Sequence, residues 1–166
     1  MKTDVLLIHP PANFNLPKGA IHAIPSYHIG YGLLHIASTL LSKGFKVAVW
    51  NLEESVHSGV TPEEIQRAIK HLRDCKAVGI ELNWLHLSKG AIQTAELLRK
   101  VVPEMPIIVG GTHATIFATE IVVRYHNLVD AVLRGEAERT FLQIVEHLER
   151  KGSLGKVGGL VTFQSG

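Results

Sequence analysis

Short apolar runs alternate along this chain with stretches whose apolar residues recur at helical spacing. Val5 to Ile8 is a continuous apolar run that stops at His9-Pro10-Pro11, the pattern of a strand buried on both faces. The segment 10–29 is rich in Pro, Asn and Gly and keeps no period; a loop of that length inside a compact domain is usually functional. Leu33, Leu34, Ile36, Ala37, Leu40 and Leu41 mark one face of a helix over 30–42, and Lys43-Gly44 supplies its stop. Phe45 to Trp50 reads as a second strand. Thr61, Pro62 and Glu64 form a capping box that opens a helix to about Arg73. Then come a strand over 77–82, a helix capped by Ser88 over 88–100, and a strand over 106–109 ending in Gly110-Gly111. A helix over 115–125, a strand over 129–133 and an amphipathic helix over 136–151 follow, the last with Phe141, Ile144, Val145 and Leu148 on one face. Residues 159–163 read as one more short strand.

Five repeats of strand then helix predict an α/β domain, a doubly wound parallel five-stranded sheet with helices on both faces. Crossover handedness leaves chiefly the flavodoxin-like order 2-1-3-4-5 or a Rossmann-like order, here with a short extra C-terminal strand. Ligands of such sheets bind outside the carboxyl ends of the strands. That rule selects His9, Pro10 and Pro11; Asn51, Leu52 and Glu53; Glu81, Leu82 and Asn83; Gly110, Gly111, Thr112 and His113; and Arg134, Gly135 and Glu136. The glycines among them serve either close approach to a ligand or tight turns.

Composition narrows the classes. A chain of 166 residues, 46% apolar and 19% charged, suits one domain with a proper core. The net charge is +2 and no basic block occurs, which argues against nucleic acid as a partner. The single cysteine, Cys75, excludes a disulfide framework or a Cys-only cluster in this chain, and beside Asp74 and Lys76 it reads as inert. No apolar run approaches the roughly 18 residues of a membrane span. No secretory signal pattern opens the chain either, so a soluble, cytoplasmic domain without a membrane partner is expected.

Familiar fingerprints fail at the strand ends. There is no phosphate-binding GxxxxGK[ST] loop, and the GxG at 30–32 lacks its third glycine and lies too far beyond the first strand. A phospho-acceptor domain needs an acidic pair where His9-Pro10 stands. Of ten histidines, His71, His126 and His147 read as surface positions, while His22, His28 and His35 lack zinc spacing. His86 reads as a loop residue, and His113 is the histidine best placed to meet a ligand. Glu136 reads as a cap of the last helix or a ligand contact. No Ser/His/Asp set or paired carboxylate is evident, so no catalytic residue is expected.

Two motifs decide the rest. Gly110-Gly111-Thr112-His113-Ala114-Thr115 is followed by Val129-Asp130-Ala131-Val132-Leu133-Arg134-Gly135-Glu136-Ala137-Glu138. With the Pro-Pro loop after the first strand, these resemble the cobalamin (vitamin B12)-binding N-terminal domain of class B radical S-adenosylmethionine enzymes, many of which are methyltransferases. The resemblance implies cobalamin held at the C-terminal edge of the sheet, touching the strand-end residues named above other than Leu52 and Glu53, together with Ala114. Gly79, Gly110 and Gly111 would line the slot for its nucleotide tail, and Asn13, Asn15, Tyr27 and His28 would fold over the corrin rim. Ser26-Tyr27-His28-Ile29-Gly30 lacks the aspartate of the Asp-x-His-x-x-Gly motif of classical cobalamin domains. The implied binding is therefore base-off with no histidine beneath cobalt. Water, a neighbouring side chain or nothing would stand there, with His9 and His28 as possible ligands.

The resemblance also implies a cobalamin domain over 1–155 and, over 156–166, a strand leading to a radical domain that this chain lacks. That domain would carry the 4Fe-4S cluster on a CxxxCxxC motif and bind S-adenosylmethionine. The chain is then an excised domain or a free-standing relative, not active alone. The alternatives are a flavodoxin-like regulatory or interaction domain without cofactor, and a small nucleotide- or flavin-binding protein.

Overall fold

The structure is a computed structural model that describes residues 3–14, 29–72 and 74–163. Its strands are β1 (Val5–His9), β2 (Val47–Asn51), β3 (Ala77–Glu81), β4 (Ile107–Gly110), β5 (Ala131–Leu133) and β6 (Leu160–Thr162). They form one sheet in the order β2-β1-β3-β4-β5-β6. The first five are parallel, and β6 pairs antiparallel with β5. This is the doubly wound 2-1-3-4-5 sheet with its extra strand that the alternation of segments predicts.

Alternate residues of each strand face opposite sides, and each side is covered by helices. Leu6, Ile8, Val78, Ile80, Ile107 and Val109 pack beneath α2 (Leu52–His57), α3 (Pro62–Lys70), α4 (Ser88–Val101), α5 (Thr112–Ile116) and α6 (Ala118–Tyr125). Val5, Leu7, Ala77, Ile108, Ala131 and Leu133 pack beneath α1 (Tyr31–Ser42) and α7 (Glu138–Glu149). Because both faces are covered, every residue of β1 and β3 is buried, as the unbroken apolar runs require.

Local chemistry sets the element ends. The Thr61–Glu64 capping box forms as read, with Glu64 N–H donating to Thr61 Oγ1 at 3.3 Å and Thr61 N–H to Glu64 Oε2 at 2.8 Å. Three readings need correction. The helix over 115–125 is two helices, α5 and α6, broken at Phe117. Ser88 does not cap α4: a 3-10 turn over Leu85–Leu87 leads in, and Ser88 is the first helical residue. Glu136 does not cap α7, whose N-cap is Ala137 with no side-chain bond. Helix α2 has no counterpart in the sequence reading; Asn51 starts it by accepting from Glu54 N–H at 3.2 Å. Among the described residues no helix is long and apolar enough to cross a membrane.

Candidate functional site

The register of the sheet opens a gap on the face under α1 and α7. Leu7 pairs with Gly79, Gly79 with Ile108, and Gly110 with Leu133. Two of the positions pointing at the helices thus carry no side chain. The result is a cleft of about 340 Å³ that runs in from the carboxyl edge. Leu33 and Ile36 of α1 and Phe141 of α7 wall it, and Glu81, Asn83, Gly111, Thr112 and Glu136 stand around it nearer the strand ends. A Cβ at Gly79 would sit 2.9 Å from both Leu7 Cδ2 and Phe141 Cε2, so even one methyl on this floor has to push its neighbours aside.

The mouth is shaped by Gly111. Its backbone has φ 117° and ψ 178°, a conformation essentially confined to glycine. A Cβ there would meet Asn83 Oδ1 at 2.5 Å and the Leu82 carbonyl at 2.9 Å. Asn83 Oδ1 instead accepts the Thr112 N–H at 3.0 Å, while Asn83 Nδ2 donates to Glu81 Oε1. On the β5 side, Gly135 N–H donates to Thr115 Oγ1 at 3.0 Å. The β4 loop is thereby tied to the loops of both neighbouring strands.

Beneath the mouth lies a buried charged triad. His9 Nδ1 is 2.7 Å from Glu81 Oε2, and His9 Nε2 is 3.3 Å from Glu53 Oε2. The three residues are 3%, 6% and 5% exposed for His9, Glu81 and Glu53, so these charges meet each other rather than water. Burial by itself would push the His9 pKa down. Hydrogen bonding and charge from Glu81, then from Glu53, outweigh it and hold the pKa above the ordinary histidine value. The raised pKa favours the imidazolium, which donates from both nitrogens, one to each carboxylate.

Of the residues expected at the site, Glu81, Asn83, Gly110, Gly111, Thr112, Gly135 and Glu136 line the cleft. The others lie elsewhere. His9 sits below Glu81; Pro10 and Pro11 are buried, and the Pro11 carbonyl lies against Gly90 of α4. Asn51 caps α2. Leu82 and Ala114 are buried in the core of the opposite face. Arg134 is exposed, its main-chain N–H donating to the Gly159 carbonyl at 3.0 Å. His113 faces a second groove between α4 and α6, its ring centroid 4.6 Å from that of Phe117. Asn15, His22, Tyr27 and His28 lie outside the described residues.

Sequence reasoning missed the triad, the walls from α1 and α7, and an apolar rim. Tyr31, Trp84, Leu85 and Ile116 all stand exposed at the carboxyl edge, Trp84 at 66%. Cys75 is buried, and burial first, with Asp4 and Asp74 adding, pushes its pKa up to about 11, in keeping with an inert thiol. Among the described residues no cluster of three or more His, Cys, Asp or Glu is arranged to hold a metal ion.

The fold is that of a doubly wound α/β domain with a cleft at the carboxyl edge of its sheet. Residues 17–145 match the B12 binding domain family, and the chain belongs to that family. The hopanoid C-3 methylase of Methylococcus capsulatus is 28% identical over 132 residues, covering 80% of this chain and 24% of that protein. Cobalamin-dependent S-adenosylmethionine radical enzyme OxsB, solved with aqua-cobalamin and S-adenosylmethionine bound, superposes with a TM-score of 0.74 at 18% identity, over 99% of this chain and 21% of its own. Radical S-adenosylmethionine methyltransferase TsrM from Kitasatospora setae, solved with cobalamin and a [4Fe-4S] cluster, gives 0.68 at 13% identity, over 98% of this chain and 28% of its own. At those identities the two solved structures speak for the fold. The chain spans between 24% and 33% of the curated relatives it matches.

Proposed function

We propose that this chain is the cobalamin-holding domain of a cobalamin-dependent radical S-adenosylmethionine methyltransferase. The observation that carries the reading is the cleft under α1 and α7, floored by Gly79 and Gly110, in a member of the B12 binding family. Its volume of about 340 Å³ lies within the roughly 300–1,000 Å³ range of small-molecule pockets. Leu7, Leu33, Ile36, Ile108 and Phe141 give the inner cleft apolar walls, which suit a bicyclic aromatic base such as the one ending cobalamin's nucleotide tail. The Asn83 amide, which keeps one N–H and one oxygen lone pair beyond its bonds to Glu81 and Thr112, supplies an uncharged donor and acceptor for the amide arms of a corrin.

Cobalamin, when bound, supplies a cobalt centre able to carry a methyl group. The chain's own residues bind and orient it. Gly79, Gly110 and Phe141 receive the tail, Asn83 and Thr112 set the height of the loop below the ring, and Trp84, Leu85 and Ile116 shield the edge from water. Binding is base-off, because a tail drawn into the cleft takes its base away from the metal. His9 is no replacement, since Glu53 and Glu81 engage both of its ring nitrogens. Residues 1–155 then make the cofactor domain. Residues 156–166 lead toward a further domain that binds S-adenosylmethionine and a 4Fe-4S cluster, and cofactor binding alone gives no turnover.

Electron paramagnetic resonance of bound cob(II)alamin tests this. Free base-on cob(II)alamin shows nitrogen superhyperfine splitting from its lower ligand; the bound form is expected to lack it. Retained corrin that keeps the nitrogen splitting contradicts the base-off assignment, and failure to retain corrin contradicts the reading as a whole.

A further inference from the structure

The Glu53–His9–Glu81 triad is more than an isolated ion cluster, because Glu81 is shared. One of its oxygens meets the His9 ring and the other accepts from Asn83 Nδ2. Asn83 in turn accepts the Thr112 N–H at the mouth of the cleft. A single hydrogen-bonded chain therefore runs from α2 through β1 and β3 to the loop after β4. We propose that His9 is a positioning residue for the cofactor cleft: its protonated ring fixes the Glu81 carboxylate, which orients Asn83, which fixes the Thr112 turn, so the cleft keeps its binding shape only while the ring is charged. The inference rests on the reading of this cleft as the cobalamin site.

The directionality of the chain is the physical reason. An ionised carboxylate only accepts hydrogen bonds, so Glu81 can take Asn83 by its amide nitrogen alone. That leaves the amide oxygen for Thr112. When His9 loses its proton, one ring nitrogen becomes an acceptor facing a carboxylate oxygen. The pair is relieved by movement of the carboxylate away from the ring. A displaced Glu81 carboxylate no longer holds Asn83 Nδ2, so the Asn83 amide turns and releases the Thr112 N–H. The buried mismatch at the His9 ring is costly enough to displace a carboxylate.

Among the described residues, Glu81 faces His9 from β3 and Glu53 from α2, while the His9 register partner on β2, Asn51, is uncharged. His57, also on α2, lies one step further out, its Nδ1 2.8 Å from the Glu53 main-chain carbonyl. Gly30, leading into α1, packs its backbone so tightly on Glu81 that a Cβ would strike the carboxylate. The triad is thus walled in on several sides.

The test follows the His9 ring and the Thr112 amide by NMR, and the affinity for hydroxocobalamin, from about pH 5 to about pH 9 in the wild type, His9→Gln and Glu53→Gln. Both signals are expected to titrate with one midpoint above about 6.5, with affinity weakening about tenfold across it. His9→Gln removes the titration of Thr112 and flattens the affinity profile. Glu53→Gln, which keeps the shape and the histidine, shifts both midpoints down together and carries the test if His9→Gln fails to fold. A Thr112 amide that stays still while His9 titrates overturns the proposal, as does an unchanged affinity profile in either folded variant. A wild type that shows the coupled titration but holds no corrin at any pH supports the clamp and overturns the cobalamin reading.

Discussion

Glycine does different work at two positions of the cleft, and substitution separates the two roles. At Gly111 the backbone itself is unusual, so Gly111→Ala is expected to cost about 1–3 kcal/mol and to break the Asn83–Thr112 bond. Urea unfolding and the loss of the Thr112 amide's protection from exchange read both effects. Gly79 has ordinary strand geometry, but its space is filled by Leu7 and the Phe141 ring. Gly79→Ala is expected to cost about 1–3 kcal/mol through overpacking, and to push Phe141 into the cleft so that cobalamin retention falls further than stability does. Equal retention by folded Gly79→Ala protein would remove the tail from this cleft. Stability should also depend on His9. Its pKa is raised on folding, so its contribution is complete below the ordinary histidine value and is lost as pH rises through the raised one. Thermal midpoints should therefore decline across that window in the wild type and much less in His9→Gln. At this scale the glycines were legible because a backbone requirement is written in the residue type. The triad was not, because it joins residues 72 and 44 apart in the chain, and nothing local pairs them.

Elements divide the sheet into a binding edge and a structural edge. The motif around Val129 to Glu138 spans both. Asp130 lies at the amino ends of β4 and β5, accepting from Ile107 N–H at 2.7 Å and from Arg99 Nη2 at 2.8 Å. Arg99 also donates to the Leu128 carbonyl at 2.9 Å, which ties α4 to the entry of β5. Asp130→Ala leaves those donors short of an acceptor and is expected to cost about 1–3 kcal/mol, with cobalamin affinity of the folded protein unchanged. Calorimetry with and without cofactor checks it; an equal loss of affinity would place Asp130 in the site. The strands and longer helices were legible from period alone. Helix α2 was not, because six residues are too few to show a period, and the break at Phe117 follows from tertiary packing. His113 shows the same limit: its place after β4 was readable, but the turn of α5 carries its ring to the α4–α6 groove.

The described residues form a sheet of five parallel strands with one antiparallel edge strand, and the carboxyl edge of the parallel strands carries the cleft and the triad. A cleft opens there on one face, a buried triad lies beneath its mouth, and Ile116, exposed, stands at its lining. Membership in the B12 binding family gives the cleft a ligand to be tested, and the central claim is that the nucleotide tail lies within it. Cobinamide, a corrin without that tail, isolates the claim. Equilibrium dialysis of the purified chain against hydroxocobalamin and against cobinamide is the direct measurement. One cobalamin per chain is expected, held at least about tenfold more tightly than cobinamide. Equal affinity for the two corrins, or no retention of either, would contradict it.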